Sequence, residues 1–449
     1  MRMTTRLVLG LWGSLIALGS SSCSGSANSG DGLGGVPNGG APPGGGTAVS
    51  SGSPLPLDQL GVRRPIPSDA ALAPDSLFEN TVFDATKNLA IWVPPGRTLR
   101  GLLLLNGTPN APDPADIAAG KKWRAEQAQD VALAARQLAS TWSFALITGT
   151  TWTDQNRSNF DLQMKLFEDA LVKFAADTKQ PGLATLPVAI QGGSRFSGFG
   201  PTYAQKRPGR VIAYVMEVAG APLPNDASRE VPGLIIPGSD DAGQAKIDSG
   251  FFPPRAAGAS LGAAMNWGAG HECASCRDLS WPFFDRVILS RLSSSGGPLL
   301  RLLPETGWLG DTDAWTTIYP QADYPNDRTR ASFLPDHFFA NVWRNYTMKA
   351  PLAKIATPTQ PYRWGAGFAQ DPSTLRAQDP ITITADLTAP LSGELTFYDG
   401  DVTLGAATVS ADGKKASLAN VKLLPGVHSV LLLRGSEPIA RPAGLVVLP

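Results

Sequence analysis

The chain has 449 residues, and its 38 lysine and arginine side chains balance its 38 aspartate and glutamate side chains. This balance excludes the strongly basic composition that attracts a protein to nucleic acid or to an anionic membrane. The chain beyond residue 57 is long enough for two domains. No segment after the N-terminal region is apolar enough to cross a bilayer.

The N-terminal segment has the features of an export signal. Arg2 and Arg6 give a positive start, Leu7–Leu18 is apolar, and Gly19–Ser22 consists of small residues before Cys23. The apolar run is short for a membrane span. The segment resembles a bacterial lipoprotein signal, which implies that Cys23 is the lipidated first residue of an envelope-anchored protein. Ordinary cleavage nearby, which would leave a soluble secreted protein, is the alternative.

Residues 24–57 form a predicted linker between the signal, residues 1–23, and the folded body. They are rich in glycine, serine and proline and hold almost no large apolar side chain up to about Ser53. Such a segment buries too little surface to offset the entropy lost on ordering. The folded body is expected to divide into an α/β domain, residues 58–355, and an all-β domain, residues 356–449.

The first part of the folded body alternates strand-like and helix-like segments. The apolar, strand-like runs are Leu102–Leu105, Phe144–Ile147, Leu186–Ile190, Val211–Val215, Leu234–Ile236 and Gly262–Trp267. The helix-like segments are Glu126–Ser140, Asp161–Asp177, Thr202–Lys206 and Phe283–Leu292. Strands that alternate with helices predict a mostly parallel sheet covered on both faces. Ligands bind such sheets at the carboxyl ends of the strands.

Ser194 is the candidate nucleophile. It follows the predicted strand Leu186–Ile190, and Gly192 stands two residues before it. This resembles the Gly-x-Ser-x-Gly nucleophile elbow of α/β-hydrolases, in which a serine occupies a sharp strand-to-helix turn. Phe196 stands where that pattern has its second glycine, and we expect its side chain to crowd the turn. A helix-capping role for the serine is the non-catalytic alternative, and Ser197 is the alternative nucleophile.

A serine hydroxyl needs a base to become reactive, and His271 is the candidate because it lies in a glycine-rich loop before a predicted helix. Asp241 is the candidate acid. It ends an apolar strand and lies three residues after Gly238, which resembles the Gly-x-x-Asp phrase of α/β-hydrolases. Asp240 falls one residue short of that spacing, and Glu217 is a less favoured substitute. The chain order Ser, Asp, His is that of the α/β-hydrolase triad.

Together these motifs resemble the α/β-hydrolase superfamily from about Leu102 to Leu292. The resemblance implies an exported serine hydrolase that cleaves small-molecule or polymer esters through an acyl-enzyme intermediate. Its oxyanion hole would consist of backbone amides at Arg195 and Thr108. Because a triad needs neither a metal nor an organic cofactor, we predict none.

Two further cysteines, Cys273 and Cys276, lie just after His271. If Cys23 carries lipid, an oxidising compartment would let these two pair in a small disulfide that braces the loop. Zinc binding would require further ligands that a chain with few histidines supplies poorly. A redox role would require a thioredoxin-like context that this stretch lacks.

The sequence changes character after about Pro358. Short strand-like segments occur at Ile381–Thr384, Gly393–Tyr398 and Val427–Leu433. Turn signals separate them at Asp399-Gly400, Asp412-Gly413 and Pro425-Gly426. This spacing predicts a small all-β sandwich. The phrase Leu395–Gly405 resembles bacterial Ig-like repeats, and His428 is expected to be a structural residue of a strand.

A non-catalytic surface protein built on a hydrolase scaffold is the alternative function. Phe196 at the elbow and the Ig-like module motivate it. The distance from the Ser194 hydroxyl to the His271 ring discriminates between the two hypotheses. A separation within hydrogen-bond reach favours the enzyme, whereas a larger gap filled by Phe196 favours the binding protein.

Overall fold

A computed structural model describes most of the folded body of the chain. The described residues are 81–84, 89–106, 135–136, 138–149, 151, 156, 159–271, 275–293, 297–302, 304–356, 375, 377 and 379–447. All of them belong to one compact unit, Leu55–Pro449. The predicted signal and linker lie outside the described residues. Within the described ranges, no helix has both the length and the apolar character that a bilayer crossing requires.

The largest sheet in the described part of the chain has eight strands. They are β1 (Thr81–Asp84), β2 (Leu89–Trp92), β3 (Gly101–Asn106), β4 (Phe144–Gly149), β5 (Val188–Gly193), β6 (Val211–Glu217), β7 (Gly233–Ile236) and β8 (Leu261–Ala263). Their order is β1-β2-β4-β3-β5-β6-β7-β8. The pairs β1–β2 and β2–β4 are antiparallel, and every other pair in this sheet is parallel. The predicted mostly parallel sheet is confirmed.

Helices cover both faces of this sheet, as predicted. The helices with both ends described are α1 (Phe160–Asp177), α2 (Phe199–Lys206), α3 (Gly243–Gly250), α4 (Phe252–Ala256), α5 (Arg277–Arg291) and α6 (His337–Tyr346). Residues 135–136 and 138–142, which overlap the end of the predicted helix Glu126–Ser140, are also helical, and the first part of that predicted helix lies outside the described residues. Alternate residues of β3 point to opposite faces. Leu102 and Leu104 pack in the core beneath α1 and α2, whereas Leu103 and Leu105 pack in the core beneath α5 and α6. A strand buried on both faces is a continuous apolar run for this reason.

Two helices begin earlier than the sequence predicts. Helix α2 starts at Phe199 and carries Pro201 in its first turn, where the missing N–H of proline would have no partner in any case. Helix α5 starts at Arg277 and contains Pro282. The side chains of Leu279 and Trp281 are fully buried in its first turns. Their burial stabilises a helical start ahead of the proline.

The aromatic segment after α5 packs against the body of the domain. It contains β9 (Trp308–Gly310), β10 (Ile318–Pro320) and β11 (Ser332–Leu334), which form a small antiparallel sheet, followed by α6. Trp343 on α6 is fully buried and donates from Nε1 to the Ala263 carbonyl at 2.7 Å. Gly310 leaves room for the Trp343 ring, because a Cβ there would lie 2.6 Å from it.

The C-terminal part forms two antiparallel sheets, so the predicted all-β sandwich is confirmed. Its strands are β12 (Ala353–Ala356), β13 (Ile381–Leu387), β14 (Leu395–Asp399), β15 (Val402–Ala406), β16 (Thr408–Val409), β17 (Lys415–Val421), β18 (Gly426–Arg434), β19 (Glu437–Pro438) and β20 (Ala443–Val447). One sheet has the order β12-β13-β17-β16 and the other β15-β14-β18-β19, with β20 also paired to β18. Ile383, Phe397 and Leu432 pack in their common core.

The sandwich packs directly on the α/β body. Val427 and Leu431 of β18 belong to the same hydrophobic core as Trp281 of α5. Arg441 donates from Nη2 to the Trp267 carbonyl at 3.0 Å, four residues before His271. The all-β domain therefore contacts and supports the loop after β8.

Candidate active site

Ser194 occupies a strained turn between β5 and α2. Its φ is +53°, and a single turn of 3-10 helix, Ser194–Phe196, follows before α2 begins. A residue other than glycine is uncommon in this left-handed region and costs energy there. Strain of this kind at a strand-to-helix turn is the property of a nucleophile elbow that lifts the hydroxyl above the carboxyl edge of a sheet.

Gly192 is required by the closeness of the turn. A Cβ at this position would lie 2.5 Å from the carbonyl oxygen of Phe196. Phe196 therefore meets Gly192 with its backbone, while its half-buried ring lies 5.8 Å from the Arg195 guanidinium carbon. The expected crowding by the Phe196 side chain was wrong, because the atoms nearest to Gly192 across the turn are backbone atoms of Phe196 and Ser197.

Ser197 has a structural role. Its side chain is 1% exposed, and its Oγ lies 2.9 Å from the Gly192 carbonyl and 3.0 Å from the Glu217 carbonyl. The hydroxyl thus ties the end of β5 to the end of β6 beneath the elbow. A buried hydroxyl committed to two carbonyls is not accessible to an acyl substrate, so Ser197 is excluded as the alternative nucleophile.

Asn106 supports the elbow from the neighbouring strand. This last residue of β3 donates from Nδ2 to the Phe196 carbonyl at 3.2 Å. No sequence motif assigns this role to Asn106. The available signal was its position, because β3 and β5 pair in parallel with Asn106 opposite Gly192.

The three predicted catalytic side chains form one hydrogen-bonded chain. Ser194 Oγ lies 2.7 Å from His271 Nε2, and His271 Nδ1 lies 2.6 Å from Asp241 Oδ2. The carboxylate can only accept, so Nδ1 carries a proton, which leaves Nε2 free to accept from the serine hydroxyl. This is the tautomer that a general base requires. The roles of these residues in catalysis stay a prediction.

The loops that carry the acid and the base are joined through their backbones. The Asp240 amide donates to the Ala269 carbonyl at 2.9 Å, and the Gly268 amide donates to Ser239 Oγ at 2.8 Å. A Cβ on Gly238 would lie 2.3 Å from the Gly270 carbonyl oxygen. The Gly-x-x-Asp spacing therefore has a packing reason: glycine at its first position lets the histidine loop approach.

The other two carboxylates that the sequence offered do not contact His271. Asp240 is exposed, and its Oδ1 accepts from Ser239 Oγ at 2.8 Å. Glu217 is buried and accepts from Ser280 Oγ at 3.0 Å. Burial raises the pKa of Glu217. Asp241 is the acid that the fold brings to the imidazole.

A lysine also contacts the acid, and sequence reasoning missed it. Lys246, in the first turns of α3, donates from Nζ to Asp241 Oδ2. The hydrogen bond from Lys246 and, second, that from His271 hold the pKa of Asp241 below its usual value. Asp241 is therefore ionised at neutral pH. No motif marks Lys246, because its contact depends on the angle at which α3 leaves the acid loop.

The remaining site residues are only partly described. Arg195 directly follows Ser194 and is exposed. Its backbone amide stays the predicted oxyanion donor. The other predicted donor, at Thr108, lies outside the described residues. Cys276 forms a disulfide, and its predicted partner Cys273 lies outside the described residues, as does Cys23. No cluster of three or more His, Cys, Asp or Glu side chains that could hold a metal occurs among the residues described.

Topology and site agree. A mostly parallel sheet carries a serine on a strained strand-to-helix turn after β5, an aspartate after β7 and a histidine after β8. Serine elbow, chain order and position at the carboxyl edge together define one architecture. The fold is that of the α/β-hydrolases.

Comparison with known proteins gives distant structural matches. No protein-family model matches the chain, and no curated protein matches it in sequence. Among solved structures, it is similar to a carboxylesterase from Bacillus cereus (12% identity, TM-score 0.32, covering 45% of this chain and 96% of that one). A dienelactone hydrolase from Anabaena variabilis (16%, 0.31, 47% and 96%) and a phospholipase/carboxylesterase from Dyadobacter fermentans (14%, 0.30, 47% and 100%) are also similar. Because these TM-scores are low, the fold assignment depends on the sheet topology.

Proposed function

We propose that this α/β-hydrolase-fold protein is a serine hydrolase that cleaves carboxylic esters through an acyl-enzyme on Ser194. The observation that carries the proposal is the unbroken hydrogen-bonded chain from Ser194 Oγ through His271 to Asp241, with separations of 2.7 and 2.6 Å. An isolated serine hydroxyl is a weak nucleophile, and a base within hydrogen-bond reach activates it.

In the first half of the reaction, Ser194 Oγ bonds to the acyl carbon while His271 Nε2 takes the hydroxyl proton. The backbone amides at Arg195 and Thr108 would stabilise the oxyanion. The ester C–O bond then breaks, and His271 gives its proton to the departing alcohol. In the second half, water attacks the acyl carbon while His271 takes its proton. The bond between the acyl carbon and Ser194 Oγ then breaks, and His271 returns the proton to Ser194 Oγ as the acid product leaves. Asp241 stabilises the imidazolium in both halves.

The site is open enough for this chemistry. The His271 side chain is 59% exposed, so an acyl group and water have access to Nε2. The non-catalytic alternative required a wide gap between serine and histidine with Phe196 inside it. The 2.7 Å separation and the half-buried Phe196 ring beside Arg195 argue against that alternative.

The test is hydrolysis of p-nitrophenyl esters from acetate to palmitate by three proteins: the wild type, Ser194→Ala and Ser197→Ala. We expect Ser194→Ala to lose at least about 10⁴-fold in kcat. Ser197→Ala is the matched control, because it removes a serine hydroxyl three residues away that is buried, and it should stay within about 10-fold of wild type. Turnover that survives in Ser194→Ala, or its absence from the wild type across all chain lengths, would overturn the proposal.

We also propose that the protein is exported and anchored by lipid at Cys23, with a disulfide between Cys273 and Cys276. The N-terminal sequence pattern and the disulfide-bonded state of Cys276 support this. In a bacterial host, wild type should fractionate with membranes, and Cys23→Ser should leave the membrane fraction. Membrane association that persists in Cys23→Ser would contradict the lipid anchor.

A further inference from the structure

One oxygen of the triad carboxylate has two cationic or potentially cationic partners. Asp241 Oδ2 accepts from His271 Nδ1 at 2.6 Å and also from Lys246 Nζ. The side chains of Lys246 and Asp241 are only 23% and 26% exposed, so water screens this contact incompletely. The charge that stabilises the imidazolium in an ordinary triad is here shared with an ammonium group.

Lys246 is held in this place by close packing of α3. A Cβ on Gly243, at the start of the helix, would lie 2.5 Å from the Gly238 carbonyl oxygen. A Cβ on Gly250, at its end, would lie 2.3 Å from Gly220 Cα. Both ends of the helix are therefore fixed against the loops at the carboxyl edge of the sheet, and Lys246 faces Asp241 from a rigid element.

The electrostatic consequence has a definite sign. Because two hydrogen bonds share one oxygen, the Lys246 ammonium nitrogen lies within about 5 Å of His271 Nδ1. Like charges at this separation repel, so a positive Lys246 disfavours protonation of His271 and opposes the effect of Asp241. When His271 takes the serine proton, the same repulsion makes it a stronger acid toward the leaving alcohol.

The other charged side chains of the acid loop, of α3 and of the elbow contact groups other than Asp241. In the acid loop, Asp240 is exposed and bound to Ser239. On α3, Asp248 accepts from Gln244. At the elbow, Arg195 is exposed and lies over the Phe196 ring. Glu272, next to the histidine, lies outside the described residues. Lys246 is the cation that contacts the carboxylate itself.

We propose that Lys246 is a positioning residue that tunes the triad, keeping His271 neutral and able to accept a proton at lower pH than an Asp–His pair alone would allow. This inference rests on the proposed esterase function. The hydrogen bond from Lys246 is the largest cause of the lowered pKa of Asp241, in agreement with the contact from which the inference is argued.

The test is the pH profile of kcat/KM for p-nitrophenyl acetate in wild type, Lys246→Met and Lys246→Arg. In Lys246→Met, the half-maximal point of the acid limb should move up by about 0.5 to 1 pH unit. Activity on that limb should therefore fall by about 3- to 10-fold, while the plateau changes less. Lys246→Arg keeps the charge and should keep the acid limb of the wild type. An unmoved limb in Lys246→Met, or the same shift in both variants, would overturn the inference.

A second measurement separates this inference from the proposed function. The ring signals of the three histidines can be followed by NMR as pH changes, with His271→Gln used to assign His271. Lys246→Met should raise the midpoint of the His271 titration by the same amount, whether or not the protein turns over an ester. If the titration shift is present but the wild type shows no Ser194-dependent hydrolysis, the proposed function is contradicted and the role of Lys246 is not. If the wild type hydrolyses esters but the His271 titration midpoint does not move in Lys246→Met, only the role of Lys246 is contradicted.

Discussion

Among the histidine–aspartate pairs of the described residues, two have nearly equal geometry and opposite character. His271 Nδ1 lies 2.6 Å from Asp241 in the α/β domain, and His428 Nδ1 lies 2.7 Å from Asp399 in the sandwich. The His271 side chain is 59% exposed, whereas that of His428 is 2% exposed. The distance between imidazole and carboxylate therefore does not distinguish a reactive histidine from a structural one.

The partner of the second ring nitrogen makes the difference. His428 Nε2 lies 2.7 Å from the Leu424 carbonyl, which can only accept. Both nitrogens of that ring are thus occupied by oxygen atoms inside the sandwich, so neither faces a group from which it could take a proton during a reaction. His271 Nε2 faces the Ser194 hydroxyl, which can donate. A histidine that can act as a base is therefore recognised by two features. A hydrogen-bond donor faces the ring nitrogen that does not contact the carboxylate, and the imidazole is accessible to substrate.

Removal of each imidazole in turn should have the largest effect. His271→Gln should lower kcat for p-nitrophenyl acetate by about 10⁴- to 10⁶-fold, because the serine loses its base. His428→Gln should leave the kcat of the folded protein within about threefold of wild type. Circular dichroism measures the folded fraction of each variant. Similar losses of kcat in both folded variants would contradict the division into a catalytic pair and a structural pair.

The carboxylates test the same contrast at the acid. Asp241→Asn cannot accept the Nδ1 proton in the same way, so the imidazole loses its required tautomer and kcat should fall by about 10⁴-fold. Asp240→Asn is the matched control. Its side chain bonds Ser239 and not His271, and steady-state kinetics should place it within about threefold of wild type. A larger loss in Asp240→Asn than in Asp241→Asn would reverse the assignment.

For the free energy of unfolding, loss of His428 should matter more than loss of His271, the reverse of the order expected for kcat. His428→Leu leaves the Asp399 carboxylate buried without its imidazole partner, which costs about 3–5 kcal/mol of unfolding free energy. His271→Leu alters an exposed ring and should change that free energy by about 0.5 kcal/mol or less. Urea unfolding followed by tryptophan fluorescence measures both. Equal destabilisation by the two substitutions would contradict the account of the buried pair.

The smallest expected effect concerns acid stability. Lys246 and His271 hold the pKa of Asp241 below 3.8, its ordinary value. The ionised carboxylate therefore stabilises the folded state at pH values above 3.8, and this contribution is lost as pH falls through the lower folded value. The stability advantage of wild type over Asp241→Asn should shrink as pH falls from 5 to about 3. An advantage that grows on acidification would have the wrong sign.

The sequence predicts the parts of this picture that depend on local pattern. Continuous apolar runs identify the interior strands, and the glycine before Ser194 and the glycines around His271 mark loops where backbones approach closely. His428 lies within a strand pattern, and its structural role follows from that. Order along the chain requires an acid between the serine and the histidine, and the Gly-x-x-Asp spacing after Gly238 favours Asp241 over Asp240.

The rest depends on register and helix direction, which local patterns do not encode. Asp399 reaches His428 because β14 and β18 pair with Asp399 opposite Val430. Lys246 reaches Asp241 through the direction of α3. The Phe196 expectation failed for a related reason: the Gly-x-Ser-x-Gly pattern marks tight positions, but only the turn itself shows that Phe196 contacts Gly192 by its carbonyl and not by its ring.

The most direct test of the central claim is to map the covalent adduct of a fluorophosphonate by mass spectrometry. Trypsin cuts after Lys179, Arg195 and Lys206, so Ser194 and Ser197 fall in different peptides. The account predicts one adduct, on the peptide 180–195, and a much slower reaction in His271→Gln. An adduct on the peptide 196–206, or labelling whose rate does not depend on His271, would contradict it.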